Sequence, residues 1–596
     1  MKLIALAASM LLCAVPVQAD DASPSTIDYA MYFQAELRDA EYCSMKLVSG
    51  QLQAVNKFNG KFISNPAMTC PDMFSWKLFA EVINDKFWSR WADEQQNWPS
   101  APYPLCQAGQ KPASGAKCCA PGDSNNSTEH CPLFPGDRYS AALTALAKAK
   151  PEQAETHARK PELKRHTRLP FHSQLNPLSK VSPQAMLNAA VAAEGAPASC
   201  SAVPVAGKME NMIPQIYSAF NPADAESVGR VIRQTNAELT VRNKTFHDYL
   251  FQNNLYNANG ALDVFFASQA NLQQEAPYHR ANVSAQGATA GALVKIDLPF
   301  DAIMIKSNWL HQGLAARLGM NPDPKMYAAK FLSTQINLNA LGLSSEPNAS
   351  CNLEGLHYLV AFHISSKDIP NWVWTTFEHI ALPGRCDITG CNDAYGYSSS
   401  DTRPANTAAN YVVPNQQSDK LNQSSIVLKA DAGYAVEKIR PEWQQLLSTM
   451  KIGSRDSAGS LEPSPADSAW LNYRLKGSQV DFVNAMGQPT YLGNSVTEAG
   501  FMDGSSCMGC HARAGVAALG SKPGDKINQG SSFKHFLALS VFETDFTDFG
   551  YFRSHHGTPD PDWYYRDNNS SPQLDVMQVD FIWGFLNAQP LVETAK

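Results

Sequence analysis

The chain has 596 residues, 44 % of them hydrophobic and 17 % charged, with 48 basic and 55 acidic side chains and a formal net charge of −7. That balance belongs to a folded soluble protein and excludes a fibrous or wholly disordered chain. A mildly acidic total also removes any global electrostatic reason to bind nucleic acid.

Lys2, the apolar run from Leu3 to Val15, and the small residues Val17 and Ala19 have the pattern of a secretory signal peptide cleaved after Ala19. The run is short for a membrane span, and no later stretch approaches ~18 apolar residues. The expectation is therefore a periplasmic protein with no integral membrane segment in the mature chain. Cleavage removes Cys13, one of 13 cysteines, and exposes the rest to an oxidising compartment.

Residues 26–98 read as helical, because Tyr32, Phe33 and Leu37, and later Phe74, Trp76, Phe79 and Val82, recur at roughly helical spacing. The segment 99–137 is rich in Pro, Gly and Ser, and Cys106, Cys118, Cys119 and Cys131 are expected to staple it by disulfides. A zinc site is the alternative, but a vicinal cysteine pair and a lone His130 give poor ligand spacing. Residues 138–150 read as a short alanine-rich helix. The basic stretch from Lys148 to Arg168 reads as a solvated connector, or else as an arm that docks an acidic partner or a membrane surface. Residues 221–256 resemble a helix pair.

The middle of the chain changes character. Ala292–Leu298, Leu356–Ile364 and Trp372–His379 alternate as half-buried strands do. The turn-rich Ser365–Asn371 joins the last two runs, which predicts an antiparallel hairpin. On it, His357 and His363 are six apart and are expected on one face. A period of two puts Trp372, Trp374 and Glu378 on one face and Phe377 and His379 on the other. A carboxylate and imidazoles at a strand end suit acid–base chemistry, so Glu378, His379 and His357 are candidate catalytic groups. A capping network is the plainer reading. Lys306, among apolar neighbours, is expected to form an ion pair with Glu378. Cys386 and Cys391 flank a four-residue loop that a disulfide would close, and residues 393–425 read as a long polar loop.

From about 470 onward the pattern reads as mostly helical. Asn494–Phe501 is expected to form a short helix and Asp575–Leu586 an apolar terminal helix. Between them lies Ser506-Cys507-Met508-Gly509-Cys510-His511. Cys-x-x-Cys-His is the attachment signature of a c-type haem. Two thiols add to the two vinyl groups on one porphyrin edge, and the adjacent imidazole binds the iron. A tight disulfide or a thioredoxin-type pair are the alternatives, but no βαβ pattern surrounds the motif. One motif predicts one covalent haem c on Cys507 and Cys510, with His511 as proximal ligand. Thioether ligation on the far side favours electron transfer, whereas an open site admits small molecules. Met577 is the candidate sixth ligand, with His535, His555 and His556 as alternatives.

The elements together predict an α+β chain with a helical N-terminal part, a central antiparallel β-sheet and a mostly helical C-terminal haem domain. The expected divisions are 1–19, 20–205, 206–465 and 466–596. Through Cys507, Cys510 and His511 the C-terminal segment resembles the c-type cytochromes. Gly355-Leu-His357, Trp372–His379 and Asp580-Phe-Ile-Trp583 resemble, more specifically, a group of large exported mono-haem cytochrome c family proteins. That resemblance implies haem binding and redox work, and no substrate. A single motif sets the chain apart from the di-haem cytochrome c peroxidases. Three functions fit: a periplasmic haem oxidoreductase acting on a small-molecule substrate, an electron carrier that docks a redox partner protein, and a haem-based ligand sensor.

Overall fold

The computed structural model describes residues 42–112, 116–137, 237–274, 293–311, 331–336, 355–380, 382, 390–399, 437–457, 463–483, 487, 489–498, 505–518, 558–559, 564–567 and 572–592. The expected signal peptide, the alanine-rich helix, the basic stretch, the 400–425 part of the polar loop, His535, His555, His556, Cys200, Cys351 and Cys386 lie outside the described residues.

The centre is an antiparallel sheet. Its strands are β3 (Ala92–Asp93), β4 (Ala237–Arg242), β5 (Ile303–His311), β6 (Ser333–Ile336), β7 (Gly355–Ser366), β8 (Val373–His379) and β11 (Tyr473–Gln479). They run in the order β11-β8-β7-β5-β4-β3, with β6 paired to β7. The expected hairpin is β7–β8, in which Ala361 pairs with Glu378 and His363 with Thr376.

Alternation sorts this sheet into an apolar and a polar face. Leu239, Val241, Ile305, Trp309, Phe362, Ile364, Phe377, Tyr473 and Leu475 enter one core cluster. The helix α1 (Pro71–Asn84) packs there, and its Trp76 meets Phe79, Phe377, Tyr397 and Trp443 at ring separations of 5.0 to 5.4 Å. A hairpin of β1 (Cys43–Val48) and β2 (Gln51–Asn56) lies beside α1, and helix α4 (Pro441–Thr449) packs against β1. A second core joins helices α2 (Lys244–Gln252) and α3 (Ala258–Gln274) to the C-terminal segment. Trp372, Trp374 and Met304 reach that core from the sheet. Two short strands, β9 (Tyr397–Ser399) and β10 (Glu437–Ile439), pair with each other.

The helical reading of the two ends is corrected. Within 26–98 the helix over Phe74 to Val82 is present, but residues 43–56 form the β1–β2 hairpin. Ser49 and Gly50 both have positive φ, 51° and 83°, which is the primed two-residue turn that matches strand twist. In 221–256, residues 237–242 are β4 and helix begins at Lys244. Leu293–Leu298 joins no strand.

The C-terminal part is not mostly helical either. Its described residues hold one five-residue α-helix, α5 (Cys507–His511), and 3-10 turns at Ser468–Asn472 and Trp583–Asn587. Its strands are β11 in the central sheet, β12 (Gly515–Val516) paired with β15 (Met577–Gln578), and β13 (Tyr565–Asp567) paired with β14 (Pro572–Leu574). The apolar run Asp575–Leu586 cannot continue as a right-handed helix, because Asp580 and Phe581 have φ of 49° and 68°. Asp580 is held there by hydrogen bonds from Lys367, from Trp372 Nε1 and from the Leu298 amide. Residues 495–498, expected in a helix, form a turn.

The bridges Cys106–Cys118 and Cys119–Cys131 staple the 99–137 segment as expected, and Cys43–Cys70 ties β1 to the start of α1. Cys391 is also disulfide-bonded. Among the described residues, no helix is long and apolar enough to cross a membrane.

Candidate functional site

The Cys-x-x-Cys-His turn is bolted to the polar end of β11. Ser506 caps α5, its Oγ accepting from the Gly509 amide at 3.1 Å. Gln479, the last residue of β11, accepts from the Met508 amide at 3.1 Å and donates to Ser506 Oγ at 2.9 Å and Thr490 Oγ1 at 2.6 Å. These contacts of one buried amide fix the helix start against the sheet.

Cys507 and Cys510 are free thiols, while every other described cysteine is disulfide-bonded. Burial pushes the Cys507 thiol well above its usual range and that of Cys510 up to about 12. Both are therefore protonated, and poor nucleophiles for thiol–disulfide exchange. The nearby charge of Glu498 raises both further.

His511 is oriented from behind. Its Nδ1 donates to the Phe581 carbonyl at 2.8 Å, so Nε2 carries the lone pair. Nε2 has no hydrogen-bond partner among the described residues. The imidazole packs against Trp374, with ring centroids 4.3 Å apart, and burial lowers its pKa to about 4. A neutral imidazole with its back nitrogen on a carbonyl is the arrangement of a metal-ligating histidine. Among the described residues, no three His, Cys, Asp or Glu side chains converge to hold a bare metal ion. Two thiols and one neutral imidazole on a single turn are the groups that a covalently held haem asks for.

Beside the turn lies the polar face of the sheet, crossed by residues 494–498. Glu378 is fully buried and accepts from the Ser495 amide at 2.9 Å and from Ser495 Oγ at 2.5 Å. Lys476 Nζ stands 3.3 Å from the same carboxylate. Thr497 Oγ1 donates to Asn308 at 2.6 Å, and Asn494 Nδ2 donates to Thr376 Oγ1 at 3.1 Å. Thr376 Oγ1 also meets His363 Nδ1 at 2.9 Å. The other ring nitrogen of His363 is 3.6 Å from Glu498, whose second oxygen accepts from the Asn494 amide at 2.6 Å. Burial raises the Glu498 carboxyl to about 7, with Lys306 the largest opposing influence.

The candidate residues are therefore sorted. Glu378 lies on the face that carries the motif. His379 lies on the opposite one, stacked on Phe331 at 3.6 Å and edge-on to Tyr473. His357 also fails to join. Asn308 pairs with Ala361 but Trp309 with Leu359, so Val360 is an extra residue and the alternation inverts there. Leu359 and Phe362, three apart, accordingly share the apolar core. His363 takes the place expected for His357. Lys306 pairs with Glu238 at 3.0 Å, not with Glu378. Met577 is buried in β15, paired with Val516. The chain continues from it to Phe581, whose carbonyl accepts from His511 Nδ1.

Glu498, Gln479, Lys476 and the Phe581 carbonyl were missed by sequence reasoning. Asn494-Ser-Val-Thr-Glu498, a turn-forming Asn followed by an acid, was a usable signal for Glu498. Lys476 sits at a bulge between Leu475 and Gly477, and a backbone carbonyl leaves no mark in the sequence.

No protein-family model matches the chain, and no curated protein or solved structure matches it either.

Proposed function

We propose that the chain is an exported mono-haem c-type protein of the periplasm that works in redox catalysis or electron transfer. The observation that carries this reading is the state of the Cys-x-x-Cys-His turn. Its two cysteines remain thiols in a chain whose other described cysteines are oxidised, and its histidine is pinned at Nδ1 with Nε2 unpartnered. Cys507 and Cys510 would hold the haem covalently and His511 Nε2 would ligate its iron. The bound haem would supply one-electron chemistry.

The chain's own residues have definable parts. Phe581 fixes the tautomer of His511 and makes it a stronger ligand. Gln479 and Ser506 hold the attachment turn in place. Glu498, shared with His363, can take or release a proton near neutral pH. That pair favours catalysis on a small-molecule substrate over simple carriage to a redox partner protein. A dithiol redox role is disfavoured by the raised thiol pKa values.

The test is production with the leader in a host that attaches haem c, followed by a pyridine haemochrome assay. One covalent haem per chain is expected, and Cys507→Ser with Cys510→Ser should abolish it. A wild-type product without covalent haem overturns the reading. Spectra with carbon monoxide or cyanide then separate the roles: a ligand-binding iron supports catalysis, and an inert low-spin iron supports carriage.

A further inference from the structure

Among the described residues, four of the five exposed large hydrophobic side chains, Tyr42, Phe58, Phe62 and Met68, lie in sequence beside the β1–β2 hairpin; the fifth is Phe300. Phe58 is 71 % exposed and Phe62 58 %. They form a patch rather than scattered side chains. Tyr42 and Phe58 meet edge-to-face at 5.2 Å, Lys46 Nζ lies 4.6 Å over the Phe62 ring, and Val55 of β2 bridges to Phe62. The inner side of the hairpin is occupied, with Cys43, Met45, Leu52 and Ala54 in the core. On the outer side, Tyr42, Phe58 and Phe62 stay exposed.

The charge of this region runs against that of the chain. Residues 42–70 contain Lys46, Lys57 and Lys61 and no Asp or Glu, in a protein of net charge −7. Among the described residues, Glu442 reaches β1 from a neighbouring element and accepts from the Met45 amide and from the Tyr395 hydroxyl. Phe58 and Phe62 stand on either side of Gly60, in a turn that projects Lys57, Phe58, Asn59, Lys61 and Phe62 outward together.

We propose that this turn after β2 is a peripheral membrane-docking site, in which the aromatic rings enter the headgroup layer of an anionic lipid surface while the lysines contact its phosphates. Rings as exposed as Phe58 and Phe62 need no complementary pocket, which a protein partner would have to supply. Lysines beside them keep their ammonium groups at the charged surface while the stems lie along the rings. Each lysine near an anionic surface is worth roughly fivefold in binding. The inference is independent of haem.

The experiment is co-sedimentation of the full-length mature protein with vesicles of phosphatidylcholine alone and of an equal mixture with phosphatidylglycerol. Binding to the mixed vesicles should exceed binding to the neutral ones by tenfold or more and should weaken as salt rises. Phe58→Ser with Phe62→Ser should reduce it by about tenfold, and Lys46→Glu with Lys61→Glu should abolish it. All four side chains are on the surface, so both variants should keep the wild-type unfolding profile. Equal binding to both vesicle types, or no loss in either variant, overturns the proposal. So does capture of an acidic protein through these residues without vesicle binding.

Discussion

Glu498 shows what a single residue contributes that a motif search passes over. Its carboxyl sits in a polar but enclosed layer, and burial lifts it from 4.5 to about 7. Between those values the folded chain holds a proton that the unfolded chain has released. The stability contributed by this group is therefore complete below about pH 4.5 and is lost as pH rises through about 7. Glu498→Gln removes the dependence. The melting temperature of wild type should fall relative to the variant's between about pH 5 and pH 8, and parallel profiles would contradict the assignment. The histidines carry the complementary lesson. His357 and His363 are equivalent by spacing, and a strict two-residue period puts them on one face. One extra residue, Val360, separates them, and nothing in Leu359-Val-Ala361 announces a bulge. The site's chemistry was legible in residue type, because a carboxylate and an imidazole do meet there. Which of them meet depends on register.

At the scale of elements, the hairpin was readable because Trp374, Thr376 and Glu378 alternate with Val373, Thr375 and Phe377 in a run that one turn closes. The C-terminal segment was not. Val576 to Phe585 is almost uniformly apolar, and such a run has no period to distinguish helix from strand. Its course is set by contacts distant in sequence, chiefly Lys367 and Trp372 on Asp580. The same dependence governs α5. Five residues do not make a stable helix in water. This one persists because Ser506 caps it and Gln479 takes up its Met508 amide. Gln479→Ala leaves that amide without its buried side-chain partner, at a cost of about 1–3 kcal/mol. A lowered melting temperature and a smaller yield of covalent haem are expected. An unchanged yield would show that the turn orders itself without the sheet.

For the molecule as a whole, the sheet takes strands from all three segments that the sequence marks out in the mature chain. β3 comes from the first, β4 to β8 from the second and β11 from the third. The Cys-x-x-Cys-His turn rests on the third segment's own Gln479, but His511 packs on Trp374 of the second. Residues 466–596 alone would thus carry the motif without the face it leans on, and β11 would lose its pairing with β8. Produced separately, that piece should lack a cooperative unfolding transition. A folded fragment that melts sharply would place the motif-bearing segment outside the main core.

The disulfides also have an order in time. The three described bridges join Cys43 to Cys70, Cys106 to Cys118 and Cys119 to Cys131, each cysteine to the next still unpaired one along the chain. A polypeptide threaded through a membrane from its N-terminus can close each of these links as soon as the second thiol emerges. Cys507 and Cys510 emerge last, when those upstream sulfurs are already spent. In the exported protein proposed above, consecutive pairing would work as a traffic rule: an oxidising compartment would seal the body of the protein while the final two thiols wait for a different chemistry.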